Sequence, residues 1–249
     1  MSLPQGRLGR RPTWQPARLV DSRDETPTAR TLVLEVPGWP GHLAGQHVDL
    51  RLTADDGYQA VRSYSLAEPA DGDRIVLTVQ RLGDGEVSPY LTEDFAVGSA
   101  IEVRGPVGGW FVWQPADPAP VLLVAGGAGI VPLMAMVRAR RAAGSQVPFR
   151  LIYSVRTPEE MYYGDELLAP QPGLEVTPVY TRSAPEGFAR APGRLGAADL
   201  VAGGWPPEAE PQVFVCGPTG FVEAVADTLV ALGHEPRRVK TERFGPSGG

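Results

Sequence analysis

One short run in the N-terminal half combines side chains that suit a flat, phosphorylated ligand. In Arg62-Ser63-Tyr64-Ser65-Leu66, alternate side chains lie on the same face of an extended segment. The arginine can pair with a phosphate, the tyrosine ring can stack on a flat ring, and a serine hydroxyl can hydrogen-bond a ring nitrogen. Taken singly, each of these residues is more often an ordinary surface or core residue, so the run needs support from elsewhere in the chain.

A second segment of the same half offers backbone N–H groups to an anion. Gly85-Glu86-Val87-Ser88 leads into a predicted helix over residues 88–95, in which Ser88 is expected to cap the first turn and Pro89 to lie within it. The N-terminus of a helix attracts phosphate through its free N–H groups and its dipole. We therefore expect this turn to bind a phosphate.

A glycine-rich loop in the C-terminal half has the position of a pyrophosphate-binding loop. Gly126-Gly127-Ala128-Gly129-Ile130-Val131-Pro132 connects a buried strand to the start of a helix, where N–H groups and the helix dipole can hold a pyrophosphate. The loop is not a complete dinucleotide-binding motif, because Pro132 stands where a third glycine is expected. Local sequence alone supports a nucleotide site and a merely tight turn about equally.

The segment Cys216-Gly217-Pro218 adds support for the nucleotide site. It too closes a buried strand and opens a helix. Loops that follow parallel strands emerge at the carboxyl end of the sheet, so this segment and the glycine-rich loop should face the same crevice. For Cys216 by itself, the more common role is that of a small buried apolar residue.

Two different patterns position these segments. Between residues 14 and 113, short alternating apolar runs are separated by turns rich in glycine, proline and aspartate, which predicts a barrel or a sandwich. Residues 114–120 contain three prolines and should form a stiff linker. From residue 121 onward, apolar strands alternate with helices, which predicts a doubly wound parallel sheet. Strands are predicted at 31–36, 48–52, 74–79, 101–103, 121–125, 149–155, 174–179 and 213–216, and long helices at 132–143 and 221–232.

Composition argues against several other classes of protein. The 249 residues carry a net charge of −6 and no dense run of Lys and Arg, so nucleic acid is a poor candidate partner. The single cysteine excludes an internal disulfide, a four-cysteine zinc site and a cysteine-ligated iron–sulfur cluster. The three histidines have no ligand-like or triad spacing, and no GxSxG motif is present, so we expect neither a metal site nor a hydrolase.

The sequence also shows no membrane-spanning pattern. No stretch approaches the ~20 apolar residues that a membrane span needs. Residues 1–13 contain several arginines but no apolar run after them, and we expect them to form a flexible tail. The expected location is cytoplasmic.

In type, order and spacing, these segments resemble the motifs of the ferredoxin–NADP reductase superfamily over residues 14–245. The ordered set is Arg62 to Ser65, Gly85 to Ser88, Gly105-Pro106-Val107-Gly108, Gly127 to Pro132, Cys216 to Pro218, and Glu242-Arg243-Phe244. The resemblance implies two domains: an antiparallel six-stranded β-barrel that binds flavin at 14–113, and an α/β domain with a doubly wound parallel sheet that binds NAD(P)H at 121–249. The C-terminal segment would return to the flavin.

The resemblance implies roles at the flavin. Arg62 would pair with a flavin phosphate, Tyr64 would stack on the isoalloxazine, and Ser65 would hydrogen-bond flavin N5, the atom that receives hydride. Val87 and Ser88 would bind the flavin pyrophosphate through backbone and hydroxyl groups. The remaining residues of the expected flavin site are Ser63 and Gly85.

It also implies roles at the nicotinamide nucleotide. The loop from Gly127 to Pro132 would cradle the pyrophosphate, and Cys216 would lie beside the nicotinamide. Glu242 would lie near the flavin, to relay a proton or orient the nicotinamide, and Phe244 would cover part of the FAD. The loop residues expected to contact the nucleotide are Gly127, Gly129, Ile130, Pro132, Gly217 and Pro218. The family's Cys-Gly-Pro motif is often followed by a methionine, whereas here Phe221 and Val222 follow, which we expect to alter packing rather than chemistry.

Together these roles predict an FAD-dependent NAD(P)H oxidoreductase. FAD, in preference to FMN, would take hydride from NADPH or NADH in a crevice between the two domains, and would pass single electrons to a separate ferredoxin, oxygenase or cytochrome. Arg156 and Arg182 each follow a strand; they could pair with the 2′-phosphate of NADPH, or equally be solvated loop residues. Two alternatives stay open: a free flavin reductase, from which flavin departs as a substrate, and a regulatory subunit that binds nucleotide without turnover.

Overall fold

The structure is a computed structural model that describes residues 12–54 and 56–245. The tail expected at 1–13 lies outside the described residues except for its last two positions. The chain divides into two compact units. The barrel unit comprises the residues up to Gln114 together with Met134–Ala139, and the α/β unit comprises Pro115–Leu133 and the residues from Arg140 onward.

The barrel unit contains a six-stranded antiparallel sheet. Its strands are β1 (Gln15–Thr26), β2 (Ala29–Glu35), β3 (His47–Thr53), β4 (Gln59–Ser65), β5 (Arg74–Gln80) and β6 (Ala100–Val107). They lie in the order β4-β3-β6-β1-β2-β5. A bridge between Leu66 and Leu77 links the two ends of this order and closes the sheet into a barrel. The predicted antiparallel six-stranded barrel is confirmed.

Alternating side chains fill the barrel. Leu32 and Leu34 on β2, like Val48 and Leu50 on β3, are fully buried, because every second residue of each strand faces the core. The longest strand, β1, carries no comparable alternating run. Its pairing with β2 shifts register at two points, and such irregularities break the period of two on which strand prediction depends.

The helix predicted to begin at Ser88 is wrong in detail. The segment forms one short turn, α1 (Val87–Pro89), followed by a single π-helical turn at Tyr90–Asp94. Ser88 does not cap it, since the capping position is Glu86, which makes no side-chain cap bond. The Ser88 hydroxyl instead accepts a hydrogen bond from the Leu82 N–H at 3.0 Å. The Ser88 hydroxyl therefore stabilises the preceding loop and does not cap the helix.

The remaining elements form a five-stranded parallel sheet with helices between the strands. They are β7 (Val121–Gly126), α2 (Ile130–Ala142), β8 (Phe149–Val155), α3 (Gly164–Leu168), β9 (Leu174–Tyr180), α4 (Ala197–Gly203), β10 (Gln212–Pro218), α5 (Thr219–Ala231) and β11 (Val239–Phe244). The strand order is β11-β10-β7-β8-β9. From β7 the chain runs outward through β8 to β9, then returns to the other side of β7. This is the predicted doubly wound sheet.

The long helices of this sheet begin and end close to the predicted positions. α2 starts at Ile130 rather than Pro132, because proline is tolerated in the first turn. Gly144 and Gly233, with φ of +61° and +100°, follow the two long helices and take the left-handed conformation that ends them. The sequence patterns do not predict β11, because its residues are half-buried and largely polar, as is common in an edge strand.

Candidate functional site

The run that begins at Arg62 lies on β4, the first strand of the barrel order. Tyr64 packs on the barrel core, and burial raises the pKa of its phenol to about 12, so the ring is neutral at pH 7. Arg62 is exposed, and its guanidinium donates to the Val61 carbonyl oxygen at 2.8 Å. Within residues 12–54 and 56–245 no ion pair engages Arg62. Its charge is therefore available to a phosphate.

Ser65 ends β4 beside a histidine on the neighbouring strand. His47 is directly opposite Ser65 in the antiparallel register, so the two side chains share a face of the sheet. Burial lowers the pKa of His47, although the nearby charge of Asp49 opposes this, and the imidazole is neutral at pH 7. Spacing along the chain does not single out His47, because its position beside Ser65 depends on strand register.

Ser63 directs its hydroxyl to a carboxylate inside the protein. Its Oγ donates to Asp49 Oδ1 at 2.6 Å. Any contact of Ser63 with a cofactor would therefore come from its backbone. Asp49, which sequence patterns do not single out either, lies on β3 and is 8% exposed.

The turn before α1 is tight and is held by Ser88. The Gly85 N–H donates to the Leu82 carbonyl oxygen at 3.0 Å, and a Cβ on Gly85 would lie 3.1 Å from Ser88 Oγ. Because the Ser88 hydroxyl is engaged by Leu82, phosphate binding at this turn would depend on the N–H groups of Val87 and Ser88 rather than on that hydroxyl.

Two loops of the α/β unit meet where the strand order reverses. A Cβ on Gly129 would lie 2.0 Å from the carbonyl oxygen of Cys216, so only glycine fits there. Gly127, at a φ of +53°, has no atom within 4 Å of its Cβ position and is open to a ligand. Helix α2 then begins at Ile130. The structure thus brings together the two segments that the sequence places at one crevice, with the start of helix α2 beside them.

Phe221 on α5 packs against the same loops. A Cβ on Gly126 or on Gly217 would lie 2.8 Å from the ring of Phe221. The aromatic ring that stands in place of the family's methionine therefore fills the space above two glycines. This contact agrees with the expectation that Phe221 alters packing rather than chemistry.

Cys216 and Glu242 are partners in the parallel register of β10 and β11. Cys216 is fully buried; burial, together with the charge of Glu242, raises the pKa of its thiol well above the usual value. The thiol stays protonated at neutral pH and is a poor nucleophile. Phe244 ends β11 opposite Pro218. The contacts of these residues with nicotinamide or flavin stay predictions.

Two arginines follow adjacent strands at the carboxyl edge of the parallel sheet. The Arg182 N–H donates to the Arg156 carbonyl oxygen at 2.9 Å, which makes the two residues neighbours. The Arg156 side chain is 56% exposed and its Nε lies 3.7 Å from Glu160 Oε2. Arg182 is exposed, and the described residues include no ion-pair partner for it. Arg182 is thus the less engaged of the two.

A cavity of about 600 Å³ opens at the opposite end of the barrel from Ser65, lined in part by Arg51, Tyr58, Glu86 and Glu102. Its lining includes Glu86 of the turn before α1, but none of Arg62, Ser63, Tyr64 and Ser65. In the part of the chain that the structure describes, no group of His, Cys, Asp and Glu is arranged to hold a metal ion. No helix of residues 12–54 and 56–245 has the length and apolar character to cross a membrane.

Comparison with protein families assigns each part of the chain. Residues 16–112 match the oxidoreductase FAD-binding domain, and residues 123–227 match the oxidoreductase NAD-binding domain. The chain belongs to the ferredoxin–NADP reductase superfamily. The cofactor and co-substrate that match these domains are FAD and NAD(P)H.

Relatives in this superfamily are reductase components and flavoproteins. The chain is 35% identical over 210 residues to a glycine betaine monooxygenase reductase subunit of Chromohalobacter salexigens, with 81% of this chain and 55% of that protein covered. It matches the FAD/NAD-binding domain of a nitric oxide dioxygenase from Vibrio cholerae with a TM-score of 0.82 at 25% identity, covering 93% of this chain and 99% of that one. An Amycolatopsis cytochrome P450 reductase gives a TM-score of 0.82 at 27% identity over 95% of this chain and 71% of that one. The chain spans about half to two thirds of the curated relatives it matches.

The residues of the barrel unit fit an FAD. Arg62 offers an exposed guanidinium and Tyr64 a half-buried ring, and helix α1 begins directly after the Gly85 turn. In the α/β unit, the open Gly127 and the start of α2 similarly fit a pyrophosphate.

Proposed function

We propose that this protein is an FAD-dependent NAD(P)H oxidoreductase that delivers electrons to a separate acceptor protein. The observation that carries the proposal is that one chain contains both an FAD-binding domain and an NAD-binding domain. In the first, Arg62 is exposed. In the second, the glycine loop packs on Cys216. FAD, when bound, accepts hydride as an electron pair and releases electrons singly, which nicotinamide cannot do.

The proposal gives the residues of the barrel unit three tasks. Arg62 and the turn at Gly85 bind phosphate, Tyr64 supplies a flat apolar surface, and Ser65 donates a hydrogen bond at flavin N5. We propose 14–113 as the FAD-binding domain, 114–120 as the linker and 121–249 as the NAD(P)H-binding domain. In the latter, Gly127 to Pro132 with Gly217 and Pro218 bind the nucleotide, Cys216 and Glu242 border the nicotinamide, and Phe244 covers FAD.

The acceptor is proposed to be a ferredoxin, an oxygenase or a cytochrome. Support comes from relatives named as reductase components of monooxygenase and dioxygenase systems. The single cysteine of this chain cannot ligate an iron–sulfur cluster by itself, so a one-electron centre has to lie on another polypeptide or on a segment beyond this sequence. A cytoplasmic location is part of the proposal, since a chain without internal disulfides suits a reducing compartment.

Retention of flavin separates this function from that of a free flavin reductase. We expect purified protein to stay yellow after desalting and to release FAD, rather than FMN, on denaturation. The physical reason is that contacts of FAD with Arg62, Tyr64 and the Gly85 turn would keep the cofactor bound to the protein. Colourless protein that nevertheless reduces added flavin with NAD(P)H would instead make flavin a substrate.

We propose NADPH as the preferred co-substrate, through the arginines that follow β8 and β9. Arg182 is exposed and lies next to Arg156, and two guanidinium groups suit the 2′-phosphate that distinguishes NADPH from NADH. Replacing Arg182 by Ala is expected to lower kcat/KM for NADPH about tenfold, the effect of losing roughly 1.4 kcal/mol of binding. The value for NADH should change less than about twofold.

Steady-state kinetics with both nucleotides test this preference. Arg156→Ala is the matched comparison and should have a smaller effect, because Glu160 already lies near Arg156. Equal losses with NADPH and NADH in Arg182→Ala would show that Arg182 does not read the 2′-phosphate.

A further inference from the structure

A buried carboxylate connects the flavin-binding strand to the rest of the barrel. Asp49 on β3 accepts a hydrogen bond from Ser63 of β4 at 2.6 Å on one oxygen. Its other oxygen accepts from Arg104 of β6, at 3.1 Å from Nε and 2.7 Å from Nη2. The guanidinium of Arg104 in turn lies over the Trp14 ring, 4.8 Å from its centre. One side chain thus joins three adjacent strands.

The strand that Asp49 holds is the first in the strand order of the barrel. Within residues 12–54 and 56–245, β4 pairs along its length with β3, and just beyond its end Leu66 forms a bridge to Leu77 of β5. Ser63 lies between Arg62 and Tyr64 and points to the opposite face from them. The hydrogen bond to Ser63 therefore fixes the backbone of β4 between Arg62 and Tyr64, and with it the directions in which these two side chains point.

The charge of Asp49 suits this task at neutral pH. Burial by itself would raise the pKa of the carboxyl, but the hydrogen bonds from Ser63 and Arg104 and the charge of Arg104 lower it overall, and His47 adds to this effect when it is protonated. Because its pKa is lowered, Asp49 is ionised and keeps its hydrogen bonds at any pH above the ordinary pKa of aspartate. These bonds are lost only as the pH falls through the lowered pKa. The groups that face Asp49 are Ser63 on β4, Arg104 on β6 and His47 on β3.

We propose that Asp49 is a positioning residue of the flavin site: it holds Ser63, and through Ser63 it sets the orientation of Arg62 and Tyr64 toward FAD. The inference rests on the proposed function, because it needs FAD to bind at β4. Asp49 contacts neither the flavin nor the substrate in this role. Its removal should weaken FAD binding more than it weakens the barrel.

The chain provides a closely matched control. Arg51 of β3 and Glu102 of β6 form a two-point ion pair at 2.7 and 2.6 Å, and the Arg51 guanidinium also lies over Trp14, at 4.4 Å. This pair joins the same two strands on the same side of the barrel, and in the described part of the chain its side chains have no hydrogen bond to β4. Glu102→Gln therefore removes a comparable β3–β6 link and spares the flavin-binding strand.

The test measures FAD affinity of the apoprotein by flavin fluorescence quenching, together with the melting temperature of each apoprotein. Asp49→Asn is expected to raise the Kd for FAD about tenfold, and Ser63→Ala severalfold, while Glu102→Gln stays within about twofold of wild type. The double variant Asp49→Asn/Ser63→Ala should bind FAD about as well as Asp49→Asn alone, because both changes break the same hydrogen bond. Ser63→Thr, which keeps the hydroxyl, should bind FAD almost normally.

Three results decide the inference. Additive effects of Asp49→Asn and Ser63→Ala on the Kd would show that Asp49 does not act through Ser63. If Asp49→Asn and Glu102→Gln lower the melting temperature equally and both leave the Kd for FAD unchanged, Asp49 is an ordinary structural residue. If the wild-type apoprotein itself fails to bind FAD, the proposed function falls, whatever the variants show.

Discussion

Replacing Ser65 by alanine is expected to slow reduction of the bound flavin by NAD(P)H about 10- to 100-fold, without loss of FAD. The reason is the loss of one hydrogen bond at the atom where charge and hydrogen arrive, which matters more in the transition state than in the ground state. The change removes a single hydroxyl from the end of β4 and leaves the Arg62 and Tyr64 contacts in place. Stopped-flow absorbance under anaerobic conditions measures the rate directly.

Ser65→Thr is the control for this prediction, because it keeps a hydroxyl at the same position. Its rate should stay within about threefold of wild type if the hydrogen bond is what matters. A Ser65→Ala rate equal to that of wild type, with FAD retained in both, would remove Ser65 from the proposed role.

Gly129→Ala is expected to raise the KM for NAD(P)H at least about 100-fold, since a misplacement of about 1 Å in a binding loop costs this much. The added Cβ would lie 2.0 Å from the Cys216 carbonyl oxygen, so either the loop or the end of β10 has to move. Overpacking of this kind also costs about 1–3 kcal/mol of stability. Kinetics with a saturating artificial electron acceptor and thermal unfolding measure the two effects.

Gly220→Ala separates a local clash from a general intolerance of alanine. Gly220 lies in the first turn of α5, near the same loops, and has nothing within 4 Å of its Cβ position. Alanine should leave the KM unchanged there and stabilise the helix slightly. Flavin content should be normal in both variants. A Gly129→Ala protein with a KM near that of wild type would contradict the pyrophosphate-binding role of the loop.

Local sequence patterns sufficed wherever one physical rule governs a segment. Continuous apolar runs predict β7 and β8 closely, because strands buried on both faces need apolar side chains throughout. Gly144 and Gly233 mark the ends of α2 and α5, because few other residues adopt the left-handed backbone found there. The likeness of the loops at Gly127 and Cys216 to phosphate-binding turns follows from the same kind of rule, and the two do meet in space.

Features set by pairing between strands could not be read in this way. His47 and Asp49 reach Ser65 and Ser63 only through the β3–β4 register, which no spacing along the chain encodes. Ser88 has the composition of a helix cap, yet its hydroxyl is captured by the Leu82 N–H, a contact six residues away in a loop of irregular shape. β11 is half-buried and polar, so its place in the sheet depends on β10 rather than on its own pattern.

Anaerobic titration of the desalted protein with NADPH tests most directly whether one chain holds FAD and lets NAD(P)H reduce it. We expect one FAD per chain and loss of the flavin absorbance at about 450 nm, complete near one equivalent of NADPH, because hydride carries both electrons at once. Bound flavin whose absorbance persists after NADPH or NADH is added in excess would contradict the claim and would leave a nucleotide-binding protein without turnover.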